Sequence, residues 1–146
     1  MTDFRVVEVQ TEEQKEKLFA IRREVFVIEQ EVAADEEFDE FEDSSVHFVA
    51  LDAEQNPIGS ARWRDTEKGS KMERFAVKKT WRRKGVASAL VQAVLDDIEK
   101  KKGTGNYLYM HAQLDAVPLY EKFGFAKKGE IFEECNILHY TMFKIN

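Results

Sequence analysis

The sequence predicts a single α+β domain in which a central mixed, mostly antiparallel sheet is flanked by about four helices. Three observations predict this fold class. The chain has 146 residues, hydrophobic residues make up 43% of it, and segments with strand and helix periodicity alternate along it. A chain of this length has room for one hydrophobic core, and we recognise no linker or repeat that would divide it. We therefore expect one domain over residues 1–146.

Helices are predicted from their periodicity and from their end signals. Thr11, followed three residues later by Gln14, forms a capping box, and the apolar pattern after it predicts a helix to about Phe26. Apolar residues at helical spacing predict the longest helix between Gly85 and Lys102. A short helix, with an Asp115 cap and a glycine end, should follow. Short apolar or alternating runs predict strands at 4–9, 46–51, 58–64, 71–77, 107–112, 130–132 and 138–145.

Composition argues against several classes of protein. A net charge of -6 disfavours a nucleic-acid partner, and no apolar run reaches the roughly 20 residues of a membrane span. The start lacks the apolar core of a secretory signal, so we expect a cytoplasmic protein with no membrane partner. Cys135 is the only cysteine, and the three histidines lack paired metal-ligand spacing, so we expect no metal. The sequence leaves open whether the chain forms a homodimer.

A basic turn stands between a predicted strand and the longest predicted helix. Residues 78–84 contain five cations, and the sequence WRRKGVAS enters the helix. Free backbone N–H groups and the helix dipole at such a start attract a diphosphate, and Gly85 permits its close approach. Arg82, Arg83 and Lys84 would add charge and hydrogen-bond donors. The alternative is a solvated basic turn without a ligand.

These residues resemble a known family. Arg82-x-x-Gly85-x-Ala87 resembles the R/Q-x-x-G-x-G/A acyl-CoA loop of the GNAT superfamily of N-acetyltransferases, and the strand MERFAV precedes it. About thirty residues later, QLDAVPLYEKFGF resembles the family segment N-x-x-A-x-x-L-Y-E-K-x-G-F, with Gln113 where Asn is usual. IRREVFVIEQEV, EEFDEFED and VHFVAL resemble the opening of small bacterial GNAT proteins of the ElaA-like kind. The resemblance covers nearly the whole chain.

The resemblance implies a GNAT-like fold with splayed strands at the acyl-CoA site. It implies transfer of the acetyl group of acetyl-CoA to a primary amine of a small molecule or peptide, by direct attack and without an acyl-enzyme. The backbone of residues 75–77 would pair with the pantetheine amides and offer an N–H to the thioester oxygen. The cofactor-binding residues implied are Phe75, Ala76, Val77, Arg82, Arg83, Lys84, Gly85, Val86, Ala87, Ser88, Gln113, Ala116 and Tyr120.

Catalysis needs an acid for the departing thiolate and a base for the amine. The resemblance places Tyr120 at the general-acid position, although a buried core tyrosine is the alternative. Glu73 is a candidate base, acting directly or through water, but it could instead pair with Arg62 or Arg74. His139 is the rival base, because imidazole as a side chain titrates near working pH. A hydrogen-bonded structural histidine is its alternative.

Acceptor recognition is predicted at the first helix and the acidic stretch. Arg22 and Glu29 are candidate substrate-binding residues, and Trp63 could line the acceptor cleft or pack in the core. Residues 35–43 contain seven acids, which would favour a cationic acceptor unless they are solvated surface. Two other functions remain: an acetyl-CoA-binding sensor or interaction module without turnover, and acyl-homoserine-lactone synthesis.

Overall fold

A computed structural model describes residues 3–146, which form one seven-stranded sheet with helices on both faces. The strand order is β1-β2-β3-β4-β5-β7-β6, and every neighbouring pair is antiparallel except β4 with β5. The predicted mixed, mostly antiparallel sheet is therefore confirmed. The strands are β1 Phe4–Glu8, β2 Val46–Asp52, β3 Pro57–Asp65, β4 Ser70–Val77, β5 Tyr107–Gln113, β6 Ala126–Glu134 and β7 Ile137–Ile145.

Four α-helices occur within the described residues, as the sequence predicts. Among these helices, none has both the length and the apolar character needed to span a bilayer. The helices are α1 Glu12–Arg22, α2 Ala34–Glu37, α3 Val86–Lys102 and α4 Val117–Lys122. A π-helical segment occupies Arg23–Glu29, and 3₁₀ turns occupy Lys79–Trp81 and Leu114–Ala116.

The first helix begins as predicted but ends differently. The Thr11 side chain accepts a hydrogen bond from the Gln14 N–H at 3.1 Å, and the Gln14 side chain accepts one from the Thr11 N–H, so the capping box is confirmed. The α-helix ends at Arg22 rather than near Phe26. The chain then continues as the π-helical segment, because the Gln30 N–H bonds the carbonyl of Val25, five residues back.

Helix α3 packs its predicted apolar stripe against one face of the sheet. Leu90, Val91, Val94 and Ile98 are fully buried. A Cβ atom at Gly59 would lie 2.9 Å from Leu90 Cδ1, so only glycine lets β3 approach the helix this closely. Helix α1 packs on the opposite face, against β2, β3 and β4.

Two sequence expectations in the C-terminal half differ from the structure, one in its cap and one in its length. Asp115 does not cap α4, because a 3₁₀ turn carries Asp115 and the N-cap residue is Ala116. The strand expected at residues 130–132 extends over Ala126–Glu134, since the long β7 offers it a partner over most of its length. Its exposed residues lack the apolar alternation that marks a strand in sequence.

Candidate active site

The parallel strands β4 and β5 separate soon after they meet. They pair only at Ser70 with Leu108 and at Lys71 with Tyr109. Beyond Lys71 the two strands diverge, and a cavity of about 440 Å³ lies at the divergence. Its walls come from β4, β5, α4, the π-helical segment and the hairpin between β6 and β7. The splayed strands expected at the acyl-CoA site are therefore present.

A β-bulge turns β4 at the edge of this cavity. The register between β3 and β4 shifts between Ser60 and Arg62, and Arg74 has φ +61°, which is rare for a residue with a side chain. The Ser60 hydroxyl donates to the Arg74 carbonyl at 2.8 Å, and the Arg74 guanidinium donates to Asp39 Oδ2 at 3.0 Å. These contacts offset a backbone cost of about 1–3 kcal/mol.

Three of the seven acids in the acidic stretch neutralise two arginines buried beside the bulge. Arg22 and Arg62 are both 0% exposed. The predicted acceptor contact of Arg22 is therefore wrong, because the guanidinium is sealed inside the fold. Asp35, Glu36, Glu40 and Asp43 of the acidic run are exposed, as the solvated-surface alternative expects, whereas the other three acids bind the buried arginines. The ion pairs join Arg22 to Glu37 and Glu42, and Arg62 to Asp39, Glu42 and Glu73.

Glu73 belongs to the same network. Its carboxylate accepts from Arg62 Nε at 2.8 Å and from Arg64 Nε at 2.9 Å, and it lies 3.4 Å from Lys71 Nζ. Burial alone would raise the pKa of Glu73, but the positive charges of Arg62 and Lys71 outweigh it and lower the pKa to about 2. A carboxylate held this way is a weak base at neutral pH. The geometry favours the ion-pair alternative, with Arg62 as the main partner.

Tyr120 lines the cavity from α4. Its ring packs edge-on against Phe75 at 5.7 Å and against Phe125 at 6.4 Å. The hydrogen bonds among residues 3–146 give the Tyr120 hydroxyl no protein partner. Burial raises the pKa of this phenol above its ordinary value, with a smaller contribution from Asp115. The hydroxyl therefore stays protonated across the physiological range, as a proton donor must.

His139 lines the same cavity from β7 and is almost completely buried. Its Nδ1 lies 2.7 Å from the carbonyl oxygen of Ile137. A carbonyl can only accept, so the Nδ1–H donates and the neutral ring keeps a free lone pair on Nε2. The ring stacks on Phe132 at 5.7 Å, which fixes its orientation.

The basic turn enters α3 at Gly85, the N-cap residue, with φ +85° and ψ 4°. A Cβ atom at Gly85 would meet nothing within 4 Å, so the space beside this backbone is open. The first N–H groups of a helix have no partner within it. Arg83 and Lys84 are exposed and form no ion pair within the described residues. The turn therefore presents donors and positive charge toward open space.

Arg82 is bound differently from its neighbours. Its guanidinium makes two hydrogen bonds of 2.7 Å to the Glu29 carboxylate, and its Nε donates to the Val77 carbonyl at 3.0 Å. Glu29 was expected to contact the acceptor, but it lies outside the cavity and is committed to this pair. The hydrogen bonds from Arg82 lower the pKa of Glu29.

The other residues expected to bind the cofactor lie either near the start of α3 or around the cavity. Ser88 is exposed in the first turn of α3, whereas Val86 is buried and can offer only its backbone. Gln113 donates through Nε2 to Gln30 Oε1 at 3.0 Å, which turns its side chain toward the π-helical segment. Phe75 and Ala116 line the cavity, Ala76 packs into the core, and Val77 and Ala87 are half-buried.

Trp63 does not line the cavity. It is 4% exposed, packs in the main core, and donates through Nε1 to Asp97 on α3 at 2.9 Å. The predicted place in the acceptor cleft is therefore wrong, and core packing explains this residue.

Sequence reasoning missed several cavity residues. His111 lines the cavity from β5, and its Nδ1 lies 3.1 Å from Glu134 Oε2 on β6. Alternation along β5 could have found it, because His111 and Gln113 share one strand face. No local pattern marks the hairpin residue Cys135, whose thiol donates to Glu36 at 3.1 Å. Burial and Glu36 raise the pKa of this thiol to about 11.

A divergent strand pair, a basic helix entrance and a cavity lined by a phenol and an imidazole are the features expected of an acyl-CoA site. The sequence model of the Acetyltransferase (GNAT) domain matches residues 7–145, and the chain belongs to this family. It is an acyltransferase enzyme. The family predicted from the basic turn and the LYEKFGF segment is thereby confirmed.

The uncharacterized N-acetyltransferase YjcF of Bacillus subtilis is 38% identical over 141 residues, which cover 96% of this chain and 99% of YjcF. Among solved structures, Escherichia coli ElaA has a TM-score of 0.84 at 20% identity, with 99% of each chain covered. An aminoglycoside 6′-N-acetyltransferase complexed with coenzyme A has a TM-score of 0.76 at 13% identity, with 97% of this chain and 96% of that chain covered. The two structural matches show the shared fold.

Proposed function

We propose that the chain transfers the acetyl group of acetyl-CoA to a primary amine of a small molecule or peptide by direct attack. The observation that carries the proposal is the divergence of β4 from β5 beyond Lys71. It leaves one backbone edge of β4 without a partner strand, next to a cavity of about 440 Å³. An extended pantetheine arm fits such an edge, because its amides can pair with strand backbone.

The basic turn fits the diphosphate end of the coenzyme. The N–H groups at the start of α3 lie beside the open space at Gly85, and Arg83 and Lys84 supply charge. The solved relative complexed with coenzyme A has the same fold, which supports this placement. When bound, the coenzyme supplies the thioester, and the residues of this chain hold it and move protons around it.

Tyr120 is the residue we assign as general acid. The phenol lines the cavity and stays protonated, because burial raises its pKa. Packing against Phe75 places it next to the β4 edge where the thioester would lie. Donation of this proton to the departing sulfur would leave free coenzyme A as the product.

His139 is the residue we assign as general base. Its Nδ1–H is committed to the Ile137 carbonyl, which leaves the Nε2 lone pair for a proton from the acceptor ammonium. Glu73 is assigned a structural role instead, because Arg62, Arg64 and Lys71 surround its carboxylate. Direct attack by the amine requires no covalent intermediate, and the high pKa of Cys135 suits that thiol poorly to a nucleophilic role.

The proposal is tested by measuring thiol release from acetyl-CoA with a panel of amino acids, polyamines, aminoglycosides and peptides. We expect thiol release only when a suitable amine is present, with a matching acetylated product by mass spectrometry. Binding of acetyl-CoA without thiol release from any amine would contradict transfer and indicate a binding module. An acetylated protein in the absence of amine would contradict direct attack.

A further inference from the structure

A second cavity, of about 590 Å³, adjoins the candidate active site. His111 lines both cavities, so the two spaces meet at this side chain. Tyr107 and Tyr109 alternate with buried residues along β5 and share the strand face of His111. The other residues lining the second cavity are Lys68, Lys128, Gly129 and Thr141.

The charge of the second cavity differs from that of the first. Two lysines and one histidine line it, and none of its lining residues is acidic, although the chain carries 28 acids and a net charge of -6. Within residues 3–146, Lys68 and Lys128 form no ion pair. Unpaired ammonium groups beside a concave surface attract an anion. By contrast, Glu36 and Glu134 lie in the wall of the first cavity, where an acceptor ammonium would enter.

Aromatic rings form the floor of the second cavity, and the row of rings extends into the first cavity. Tyr107 stacks on Phe143 at 5.8 Å and lies 5.8 Å from Tyr109. Tyr109 lies 6.3 Å from His111. The row continues from His111 to Phe132 at 5.1 Å, and from Phe132 to the candidate base His139 at 5.7 Å. A planar or apolar acceptor could therefore lie along this row from one cavity to the other.

Lys128 stands over this aromatic floor. Its Nζ lies 5.5 Å from the Tyr107 ring centroid, 5.9 Å from that of Phe143, and 3.4 Å from the Tyr107 hydroxyl oxygen. The Tyr109 hydroxyl is already bound to Thr66 at 2.7 Å. An anion in the cavity would meet the Lys128 ammonium, the Tyr107 hydroxyl and the Lys68 side chain as donors.

We propose that the second cavity binds the anionic end of the acceptor, so that the substrate is an amine carrying a carboxylate at the far end of a planar or apolar body. This inference rests on the proposed function. Tyr109 lies four positions before Gln113 on β5, and the strand partner of Gln113 is His139. At about 3.3 Å per residue, the carboxylate lies about 13 Å from the amine. An extended peptide of about four residues that carries an aromatic side chain spans this distance, because each residue adds at most about 3.6 Å.

Thiol release is measured with an aromatic tetrapeptide and with the same tetrapeptide as its C-terminal amide. We expect KM for the acid to be lower by about tenfold, which corresponds to one charge-assisted hydrogen bond. The double variant K68Q/K128Q should bring the two KM values together. Lys127→Gln is the matched control, because Lys127 lies over Tyr140 outside both cavities, and it should preserve the tenfold preference. Equal KM values in the unmodified protein would overturn the inference.

A binding measurement separates this inference from the proposed function. Titration with 3-phenylpropanoate and 3-phenylpropanamide should show about tenfold tighter binding of the acid, with amide NMR shifts along Tyr107–Gln113, and K68Q/K128Q should abolish the difference. Equal binding of the two probes would overturn the anion site even if amines are acetylated. A preference for the acid without thiol release from any amine would refute the transfer reaction and retain the anion site.

Discussion

Glu29 and Arg82 form a bidentate ion pair that joins the π-helical segment to the turn before α3. Both hydrogen bonds measure 2.7 Å, and Arg82 also donates to the Val77 carbonyl. The π-helical segment contributes Phe26 to the cavity, so the pair connects the acceptor wall to the expected diphosphate site. Glu29 therefore positions Arg82 rather than contacting the acceptor.

Replacing Glu29 by Gln should weaken acetyl-CoA binding by up to about fivefold, because a partly exposed ion pair is worth about 1 kcal/mol and its loss frees Arg82. Removing a negative charge near the diphosphate would, on its own, strengthen binding. Isothermal titration calorimetry distinguishes the two effects. Glu24→Gln is the control, since Glu24 is exposed on the same segment. Tighter binding by Glu29→Gln would show that Glu29 acts through repulsion instead.

Replacing Tyr120 by Phe should lower kcat about 10²-fold, because the variant lacks the proton for the departing thiolate. Acetyl-CoA affinity should stay nearly unchanged, since the ring and its packing against Phe75 remain. Steady-state thiol release and calorimetry measure the two quantities. Tyr140→Phe, on the half-buried ring under Lys127, should keep full turnover. Unchanged kcat in Tyr120→Phe would reject the acid role.

Replacing His139 by Gln should lower kcat about 10²-fold, since the variant has no Nε2 lone pair to accept the ammonium proton. Glutamine can still donate to the Ile137 carbonyl, so the fold should persist by circular dichroism. His111→Gln is the comparison, because His111 lines the same cavity but is bound to Glu134. A larger loss of kcat in His111→Gln than in His139→Gln would identify His111 as the general base instead.

Replacing Glu73 by Gln should lower the free energy of unfolding by about 3 kcal/mol, because it leaves Arg62 buried with one fewer counter-charge. The folded-state pKa of about 2 lies below the ordinary value of 4.5. The ionised group therefore stabilises the fold above about pH 4.5 and loses that effect as the pH falls toward 2.

Urea unfolding at several pH values tests this role, with the exposed Glu130→Gln as control. The difference between the unmodified protein and Glu73→Gln should shrink on acidification. A fully stable Glu73→Gln variant with kcat lowered a hundredfold would instead identify Glu73 as the base.

The sequence predictions that proved correct rest on local patterns. The stripe of α3 and the Gly85 turn could be predicted because their signals lie within about twenty consecutive residues. Tyr120 and His139 could be named as candidates and do line one cavity. Their roles remain predictions until turnover is measured.

The errors concern contacts between distant segments. Arg22 meets Glu37 and Glu42, 15 and 20 residues away, so no local pattern distinguishes a buried arginine from a surface one. Trp63 reaches Asp97 across 34 residues. The positive φ of Arg74 had no signal either, since glycine or asparagine usually marks such a position. Tertiary packing determines the burial, the contacts or the backbone conformation of each of these residues.

The affinity of Gly85→Val for acetyl-CoA tests the central claim most directly, because the added side chain would fill the open space where the diphosphate should lie. Gly103→Val is the matched control: Gly103 caps the other end of α3, also has positive φ and also faces open space. We predict that Gly85→Val weakens binding at least about tenfold while Gly103→Val binds normally, although the Gly103 backbone, with φ +73° and ψ -154°, tolerates a side chain less well than Gly85. Equal affinity in both variants and the unmodified protein would contradict the placement of the coenzyme at this turn.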